Sequence, residues 1–323
     1  LDSSLVNVIK KVELFSEKRK ASFDKEEYVV NRTKFDQYLL KLAVSEGIKF
    51  HPRHKLVGLK KNELGKINLV FKVISKEIKN KKNNKTELIN KIIKITSPNI
   101  IIGADGPNSL LFRRLNKGRK RKYYYGVQAI VKGQFNEKAY QTYFGSGCPE
   151  FFSWVVPESA SRARVGLAVL KNPGSYFDRF LKRLRVDDKQ VISRQGGLIP
   201  VFDLSVRFNY KNIYLLGDAV GWVKATTGGG IVPSFYEVHN LVDCLVGGKE
   251  YKPKKNNLRL HLWIRKVLNR FDDQDYDQMV KVLSKPKNKK LLEKYSREKP
   301  FKLMWKLVLN EPRLIWLGKC LLR

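Results

Sequence analysis

The chain has 323 residues, with 65 lysine and arginine residues against 30 aspartate and glutamate residues, which gives a formal net charge of +35. This length is sufficient for two lobes with hydrophobic cores. No apolar run approaches about 18 residues and no signal peptide is visible, so the sequence predicts no transmembrane helix.

The basic excess would ordinarily indicate a nucleic-acid partner. Here it consists mostly of lysine accompanied by asparagine and isoleucine, as in Lys79–Lys85. An AT-rich genome produces this composition without selection for a ligand. Because the run lies between the strand-like segments Ile67–Ile74 and Leu88–Ile95, we interpret it as a solvated hairpin tip and expect no nucleic-acid partner.

Neither the cysteines nor the histidines form a pattern typical of metal sites. Cys148, Cys244 and Cys320 have no metal-ligand spacing. His51 and His54 lie close together in a predicted loop but lack companion ligands. We therefore expect no metal, and three free thiols predict a reducing cytoplasm.

Hydrophobic periodicity and turn residues predict the remaining elements. Period-2 alternation between Tyr123 and Leu170 indicates a half-buried sheet suited to lining a pocket. In chain order, the other predicted elements are an edge strand at Val6–Leu14, a helix at Arg32–Phe50, a strand at Lys55–Leu59, a hairpin at Ile67–Ile95, a buried strand at Asn99–Gly103, a helix at Asp178–Leu184 and helices after Gly248.

The segment Ile213–Ile231 carries the strongest functional signal. It is a short apolar strand followed by a turn with Asp218, and then by three glycines, Gly228–Gly230, that open a helix-compatible run to Leu245. Glycines allow a ligand to approach the backbone closely, and the first amides of a helix are free to bind electron-rich atoms. The pattern predicts a cofactor site, with Asp218 accepting from hydroxyl groups. Capping of the next element is the alternative role for Asp218.

Three further segments carry patterns that also bear on function. Ile100–Ser109 is an apolar strand and a turn containing Asp105, followed by Arg113 and Arg114. Arg32–Asp36 opens the first predicted helix, and Phe152–Pro157 lies in the alternating middle region.

Taken together, these four segments resemble the geranylgeranyl reductase family of flavoproteins, and they follow the family's order. Aromatic hydroxylases share two of the motifs but usually carry a histidine two residues after the Gly-Asp carboxylate, where this chain has Val220. The triple glycine is the reductase version. Ala225 is a departure, because the family usually has proline there.

The resemblance implies an α/β plus α+β fold. A partial Rossmann-like FAD-binding lobe is expected at residues 28–114 and 195–247, an antiparallel-sheet substrate lobe at 115–194, and a helical carboxyl-terminal region at 248–323. The family's first βαβ unit, with its Gly-x-Gly-x-x-Gly turn, is missing from the sequence. We therefore expect a fragment, or a split or decayed gene, whose chain is inactive alone and prone to associate.

The resemblance also assigns binding residues, although it assigns no catalytic residue. For some of them a simpler role is the alternative: a surface charge for Arg32, an ordinary turn for Asp105 and a core position for Trp154. The implied cofactor-binding residues are Arg32, Leu56, Asp105, Asp218, Gly229, Gly230 and Ile231, and the implied lipid-pocket residues are Phe152, Trp154 and Pro157.

The implied function is FAD-dependent reduction of geranylgeranyl double bonds in isoprenoid lipids or their precursors, with NAD(P)H or reduced ferredoxin as electron donor. An aromatic hydroxylase and an inactive remnant are the alternatives. Phe301–Leu309 and Leu314–Leu322 have amphipathic spacing with basic residues, which predicts peripheral contact with a membrane surface. Packing against the flavin lobe is the alternative for these two segments.

Overall fold

The computed structural model describes residues 4–63, 67–79, 86–95, 98–296, 300–312 and 314; for 74–79 and 86–95 it describes the backbone. The strands are β1 (Leu5–Phe15), β2 (Lys20–Val30), β3 (His54–Lys61), β4 (Ile67–Lys79), β5 (Thr86–Ile95), β6 (Ile101–Gly103), β7 (Tyr123–Lys132), β8 (Ala139–Tyr143), β9 (Ser153–Ser159), β10 (Arg162–Val169), β11 (Val191–Pro200), β12 (Asn209–Tyr210) and β13 (Ile213–Leu215). The helices are α1 (Arg32–Ser45), α2 (Leu110–Leu115), α3 (Pro173–Arg183), α4 (Ile231–Val246), α5 (Asn256–Leu268), α6 (Asp273–Leu283), α7 (Pro286–Lys294) and α8 (Pro300–Asn310).

The chain forms two compact units. The first comprises residues 1–35, 120–204 and 221–323, and the second comprises residues 36–119 and 205–220. Mixed sheets and helices confirm the expected α/β plus α+β class. The boundaries differ from the expected lobes, because residues 195–204 and 221–247 belong to the first unit. Residues 195–200 belong to the first unit because β11 pairs with β7 over its whole length.

A seven-stranded sheet in the order β11-β7-β10-β9-β8-β1-β2 forms the centre of the first unit. All neighbours are antiparallel except β1 and β8, which are parallel. This confirms the strands predicted between Tyr123 and Leu170. The core lies on the face covered by α3, where Phe177 packs with strand residues such as Val165 and Leu167, all fully buried.

The prediction of an edge strand at Val6–Leu14 is wrong. β1 lies inside the sheet, paired with β2 on one side and β8 on the other. Ile9 and Val12 are accordingly buried. The outer strand on this side of the sheet is β2, and helices α6 and α7 pack against it.

The second unit contains two three-stranded sheets, β12-β13-β6 and β3-β4-β5. The predicted strands at Lys55–Leu59 and Asn99–Gly103 and the predicted hairpin are present, although residues 80–85 of the lysine-rich tip lie outside the described residues. β6 and β13 are parallel, with Gly103 opposite Leu215. A Cβ atom at Gly103 would lie 2.7 Å from Leu111 and 2.8 Å from Leu215, so glycine permits α2 to pack on this strand pair.

Helix α1 is shorter than the predicted Arg32–Phe50. The side chain of Asn31 accepts from the amide of Lys34 at its start, as a cap does. At its end Gly47 has a φ of 88°, and the amide of Ile48 donates to the carbonyl of Ala43. This paired closure, with Gly47 also donating to Val44, is a Schellman ending, which stops the helix at Ser45.

Candidate functional site

A cavity of about 560 Å³ lies against one face of the seven-stranded sheet in the first unit. Its lining is mainly aromatic and aliphatic. Of the described residues that line it, Glu27 is the one that is charged at neutral pH, and no lysine or arginine is among them. The lining residues are Ile9, Leu14, Glu27, Tyr28, Val29, Tyr140, Thr142, Phe144, Phe151, Phe152, Trp154, Val156, Ile199, Thr226, Thr227 and Gly228.

Strand β9 places Trp154 on this cavity. Alternation along β9 buries Ser153 and Val155 on one face and leaves Trp154 and Val156 half-buried on the other. Trp154 lies beside Gly166 of β10, where a Cβ atom would be 2.6 Å from the indole. The glycine therefore provides the space for the tryptophan, which fits the sequence pattern in which Gly166 follows the aromatic segment.

Phe152 lies just before β9 and extends the aromatic surface. Its ring stacks on that of Phe151 with centroids 4.4 Å apart, and lies 6.0 Å from that of Trp154. Phe151 is fully buried. Contact of Phe152 and Trp154 with a substrate stays a prediction.

Pro157 is placed differently from the other two predicted pocket residues. It has the parity of Ser153 and Val155 in β9, is buried, and pairs with Ala163 of β10. It is not among the residues that line the cavity. Its side chain therefore belongs to the opposite face of the sheet from Trp154.

The predicted glycine turn forms one end of the cavity. Lys224 donates its amide to the carbonyl of Gly229 at 3.1 Å, and accepts from the amides of Thr227 at 3.2 Å and Gly228 at 2.8 Å. Gly228 has a φ of 70°, and a Cβ atom there would lie 3.1 Å from the ring of Phe151. The backbone conformation therefore favours glycine at this position, and the ring of Phe151 makes an added Cβ atom a tight contact.

Helix α4 begins directly after this turn. Gly230 is its first flanking residue and provides no side-chain cap, while Pro233 lies in the first turn, where proline is tolerated. The early amides of a helix, here those around Ile231, have no partner within the helix itself. Ile231 is itself exposed. A helix start with a glycine backbone and no cap is suited to bind an electron-rich group.

Asp105 and Asp218 lie at the same edge of a sheet in the second unit. Asp105 follows β6 by two residues and Asp218 follows β13 by three, and these strands are parallel neighbours. The carboxyl ends of parallel strands are the edge at which α/β sheets bind ligands. Asp105 also accepts from the amide of Leu110 at 3.1 Å, so its carboxylate has the structural role of holding the start of α2.

The remaining predicted cofactor residues are distributed between the units. Arg32 is the exposed first residue of α1 in the first unit, together with Gly229, Gly230 and Ile231. Leu56 belongs to the second unit, where it is half-buried in β3 opposite Phe71 of β4. Their roles in cofactor binding stay predictions.

The first two strands also line the cavity, which the sequence pattern did not predict. Ile9 and Leu14 of β1 and Glu27, Tyr28 and Val29 of β2 all line it. The alternating pattern of Val6–Leu14 was the available signal, since alternation indicates that one face of a strand is buried.

No protein-family model matches the chain. Among curated proteins, it is 23% identical over 283 residues to digeranylgeranylglycerophospholipid reductase 3 of Methanosphaera stadtmanae, which covers 79% of this chain and 67% of that protein. It is 27% identical over 216 residues to digeranylgeranylglycerophospholipid reductase of Methanococcus vannielii, with coverages of 63% and 51%.

Among solved structures, a geranylgeranyl bacteriochlorophyll reductase-like protein from Thermoplasma acidophilum matches 99% of this chain and 84% of its own, with a TM-score of 0.76 and 20% identity. The curated relatives named digeranylgeranylglycerophospholipid reductase are 23% to 28% identical to this chain, and they support the resemblance to the geranylgeranyl reductase family. A flavin-dependent halogenase has the same general fold, with a TM-score of 0.57 and 11% identity over 95% of this chain and 66% of its own.

The chain spans 50% to 67% of the length of the curated relatives that it matches. In the part of the chain that the structure describes, no helix is long and apolar enough to cross a membrane. Within the same residues, no group of three or more histidine, cysteine, aspartate or glutamate side chains is arranged to hold a metal ion.

Proposed function

We propose that this chain binds FAD and takes part in the reduction of carbon–carbon double bonds in a prenyl chain. The observation that carries the proposal is the apolar cavity that ends at the glycine turn of Thr226–Gly228. The names of its curated relatives, which are reductases of digeranylgeranylglycerophospholipids, support the same function.

The residues present fit a flavin cofactor. Gly228 lines the cavity through its backbone, so a planar ring can approach without meeting a side chain there. The uncapped start of α4 follows within three residues and offers amides for electron-rich ring atoms. Asp218 follows a parallel strand, where a carboxylate is suited to accept from the cofactor's hydroxyl groups.

Bound, reduced FAD would supply a hydride to one carbon of the alkene, and a proton would add to the other carbon. An isolated alkene has no carbonyl group to polarise, so the protein acts by excluding water and aligning the chain. Phe152, Trp154 and Val156 line the cavity with apolar surface for that purpose. The electron donor is NAD(P)H or reduced ferredoxin.

The cavity is suited to one uncharged chain. Its volume of about 560 Å³ lies within the range of roughly 300–1,000 Å³ that is typical of small-molecule sites. No cation lines it among the described residues, and Glu27 would repel a phosphate. We therefore propose that the prenyl chain enters the cavity and that any phosphorylated or polar headgroup stays outside. This is compatible with ether lipids, prenyl diphosphates and quinone or chlorophyll precursors.

Peripheral contact with a membrane surface is part of the proposal. On α8, Phe301, Trp305 and Leu309 recur at every fourth residue and are 70%, 60% and 62% exposed. Lys302 and Lys306 lie next to this apolar stripe in sequence. A helix of this kind lies in a lipid interface. Of the second predicted segment, residues 315–322 lie outside the described residues.

Flavin titration of an Asp218 variant tests the proposal. In a protein that also carries the family's Gly-x-Gly-x-x-Gly unit, Asp218→Ala should weaken flavin binding by about 10- to 100-fold, since a hydrogen bond to a charged group contributes about 1.5–3 kcal/mol. Asp188→Ala is the matched control, because its side chain is 93% exposed and belongs to the first unit. An Asp218→Ala protein that binds flavin like the unaltered protein would contradict the assignment.

The reaction itself is tested by the product. A reductase adds two hydrogens to each double bond of the prenyl substrate and works without oxygen. A hydroxylase, the alternative, consumes oxygen and adds an oxygen atom to its product. Mass spectrometry of the product under anaerobic conditions therefore separates the two activities.

A further inference from the structure

Arg265 of α5 is a buried cation held by main-chain carbonyl groups. It is 2% exposed, and among the described residues no carboxylate pairs with it. Its Nε donates to the carbonyl of Ala225 at 3.0 Å and its Nη2 to the carbonyl of Thr226 at 2.8 Å. Burial lowers the pKa of the guanidinium, which still stays protonated in proteins. Burying a charge without a counter-ion costs free energy. The two hydrogen bonds to main-chain carbonyl groups partly offset that cost, and they tie Arg265 to the loop at Ala225 and Thr226.

A second side chain of α5 reaches the same residue. His261 lies one helical turn before Arg265, on the same side of the helix. Its Nδ1 lies 2.6 Å from Oγ1 of Thr226. Thr226 is therefore held through its carbonyl by Arg265 and through its hydroxyl by His261.

The loop that these two residues hold is the one that forms the end of the cavity. Thr226 and Gly228 both line the cavity. The guanidinium of Arg265 also lies over the ring of Phe151, 4.9 Å from its centroid, and a Cβ atom at Gly228 would lie 3.1 Å from that ring, a tight contact. Helix α5 thus contacts the loop directly and supports the aromatic residue against which the loop packs.

We propose that Arg265 and His261 are positioning residues that fix the Thr226–Gly228 turn and so set the shape of the cavity at its glycine end. An arginine suits this role because its rigid fork of donors bonds two successive carbonyl groups at once. The role of the turn in binding a prenyl chain rests on the proposed function. The positioning of the turn by Arg265 and His261 is independent of the proposed function, because it rests on the hydrogen bonds to Ala225 and Thr226.

Variants of Thr226 and Arg265 test the proposal. Thr226→Val removes the hydroxyl at nearly constant volume, whereas Thr226→Ser keeps it. Arg265→Met removes both donors to the loop, and Arg265→Lys keeps the charge without the fork. Lys266→Met is the matched control, because Lys266 is the next residue of α5 and is exposed.

The first measurement is amide hydrogen exchange of residues 223–232, without flavin or substrate. We expect about tenfold faster exchange in Arg265→Met and about threefold faster exchange in Thr226→Val, with Arg265→Lys between Arg265→Met and the unaltered protein. Thr226→Ser and Lys266→Met should exchange as the unaltered protein does. Unchanged exchange in Thr226→Val, or acceleration spread equally over β10, would overturn the proposal.

The second measurement is the affinity for geranylgeraniol, followed by tryptophan fluorescence. Thr226→Val should weaken binding several-fold, and Thr226→Ser should restore it. A loosened loop with unchanged affinity would refute the role in shaping the cavity. If the unaltered protein binds no prenyl alcohol while exchange still responds as expected, the proposed function fails and the positioning of the turn stands.

Discussion

Replacing Gly166 by alanine tests how the sheet accommodates Trp154. An added Cβ atom would lie 2.6 Å from Cβ of Gln128 on β7 and 2.6 Å from Cζ2 of Trp154 on β9. Ordinary contacts begin at 3.4 Å, so the neighbours must move by about 0.8 Å. β10 is hydrogen-bonded on both sides, which prevents the strand from shifting alone.

Overpacking of this kind costs about 1–3 kcal/mol of the free energy of unfolding. Gly126→Ala is the matched control in the same sheet, since its Cβ atom would lie 3.5 Å from the carbonyl of Gly197, an ordinary contact. That substitution should be neutral or stabilise by up to about 1 kcal/mol, because it lowers the entropy of the unfolded chain. The tryptophans among the described residues all belong to the first unit, so urea unfolding followed by tryptophan fluorescence reports on this sheet.

The result that would refute the reasoning is Gly166→Ala unfolding at the same urea concentration as Gly126→Ala. A second check uses Trp154→Leu in the Gly166→Ala background. The smaller side chain should recover part of the lost stability but not all of it, because the clash with Gln128 persists.

Three further predictions concern the cavity, the exposed helix and a buried thiol. In a protein that also carries the family's Gly-x-Gly-x-x-Gly unit, Trp154→Ala should change which prenyl double bonds are reduced while flavin content, measured by absorbance, stays constant; joint loss of flavin and fold would instead assign Trp154 to the core. Phe301→Ser with Trp305→Ser should reduce co-sedimentation with anionic vesicles by at least severalfold, and equal binding to neutral vesicles by the unaltered protein would argue against a membrane role. Burial raises the pKa of Cys148 to about 11, whereas the thiol of the unfolded chain has a pKa near 9. The folded state therefore keeps its full stability below pH 9 and loses stability as the pH rises from about 9 to 11, where the unfolded thiol ionises more readily. Over that window the unaltered protein should lose about 2–3 kcal/mol more stability to urea than Cys148→Ala, and equal losses would mean that the thiol is not desolvated.

The local features of the site were predictable because short segments determine them. The glycine turn favours glycine at Gly228 through its own backbone conformation, which has a positive φ. The end of α1 follows from Gly47, whose positive φ closes the helix. Period-2 alternation along β9 also places Pro157 on the opposite face from Trp154. The family motif contains both residues and therefore does not distinguish the two faces.

Contacts between distant parts of the chain were not predictable in this way. β1 pairs with β8, so that Lys11 lies opposite Ala139, and nothing in the residues of β1 specifies that partner. The alternating pattern indicated a strand but left its neighbours open. The contact of Arg265 with Thr226 likewise joins residues that are distant in sequence. Arginine is mostly exposed in proteins, so the sequence of α5 alone predicts a surface position for it.

The distribution of charge separates the surface from the site. The chain carries 65 lysine and arginine residues, but none of them lines the cavity among the described residues. Arg265, which lies beneath the cavity's end, directs two donors to main-chain carbonyl groups of the turn. The net charge of the chain is therefore no guide to the ligand of the cavity. The cavity itself is an apolar site with one carboxylate, Glu27, among its lining residues. An uncharged chain is the ligand that such a cavity can accept without leaving a buried charge unpaired.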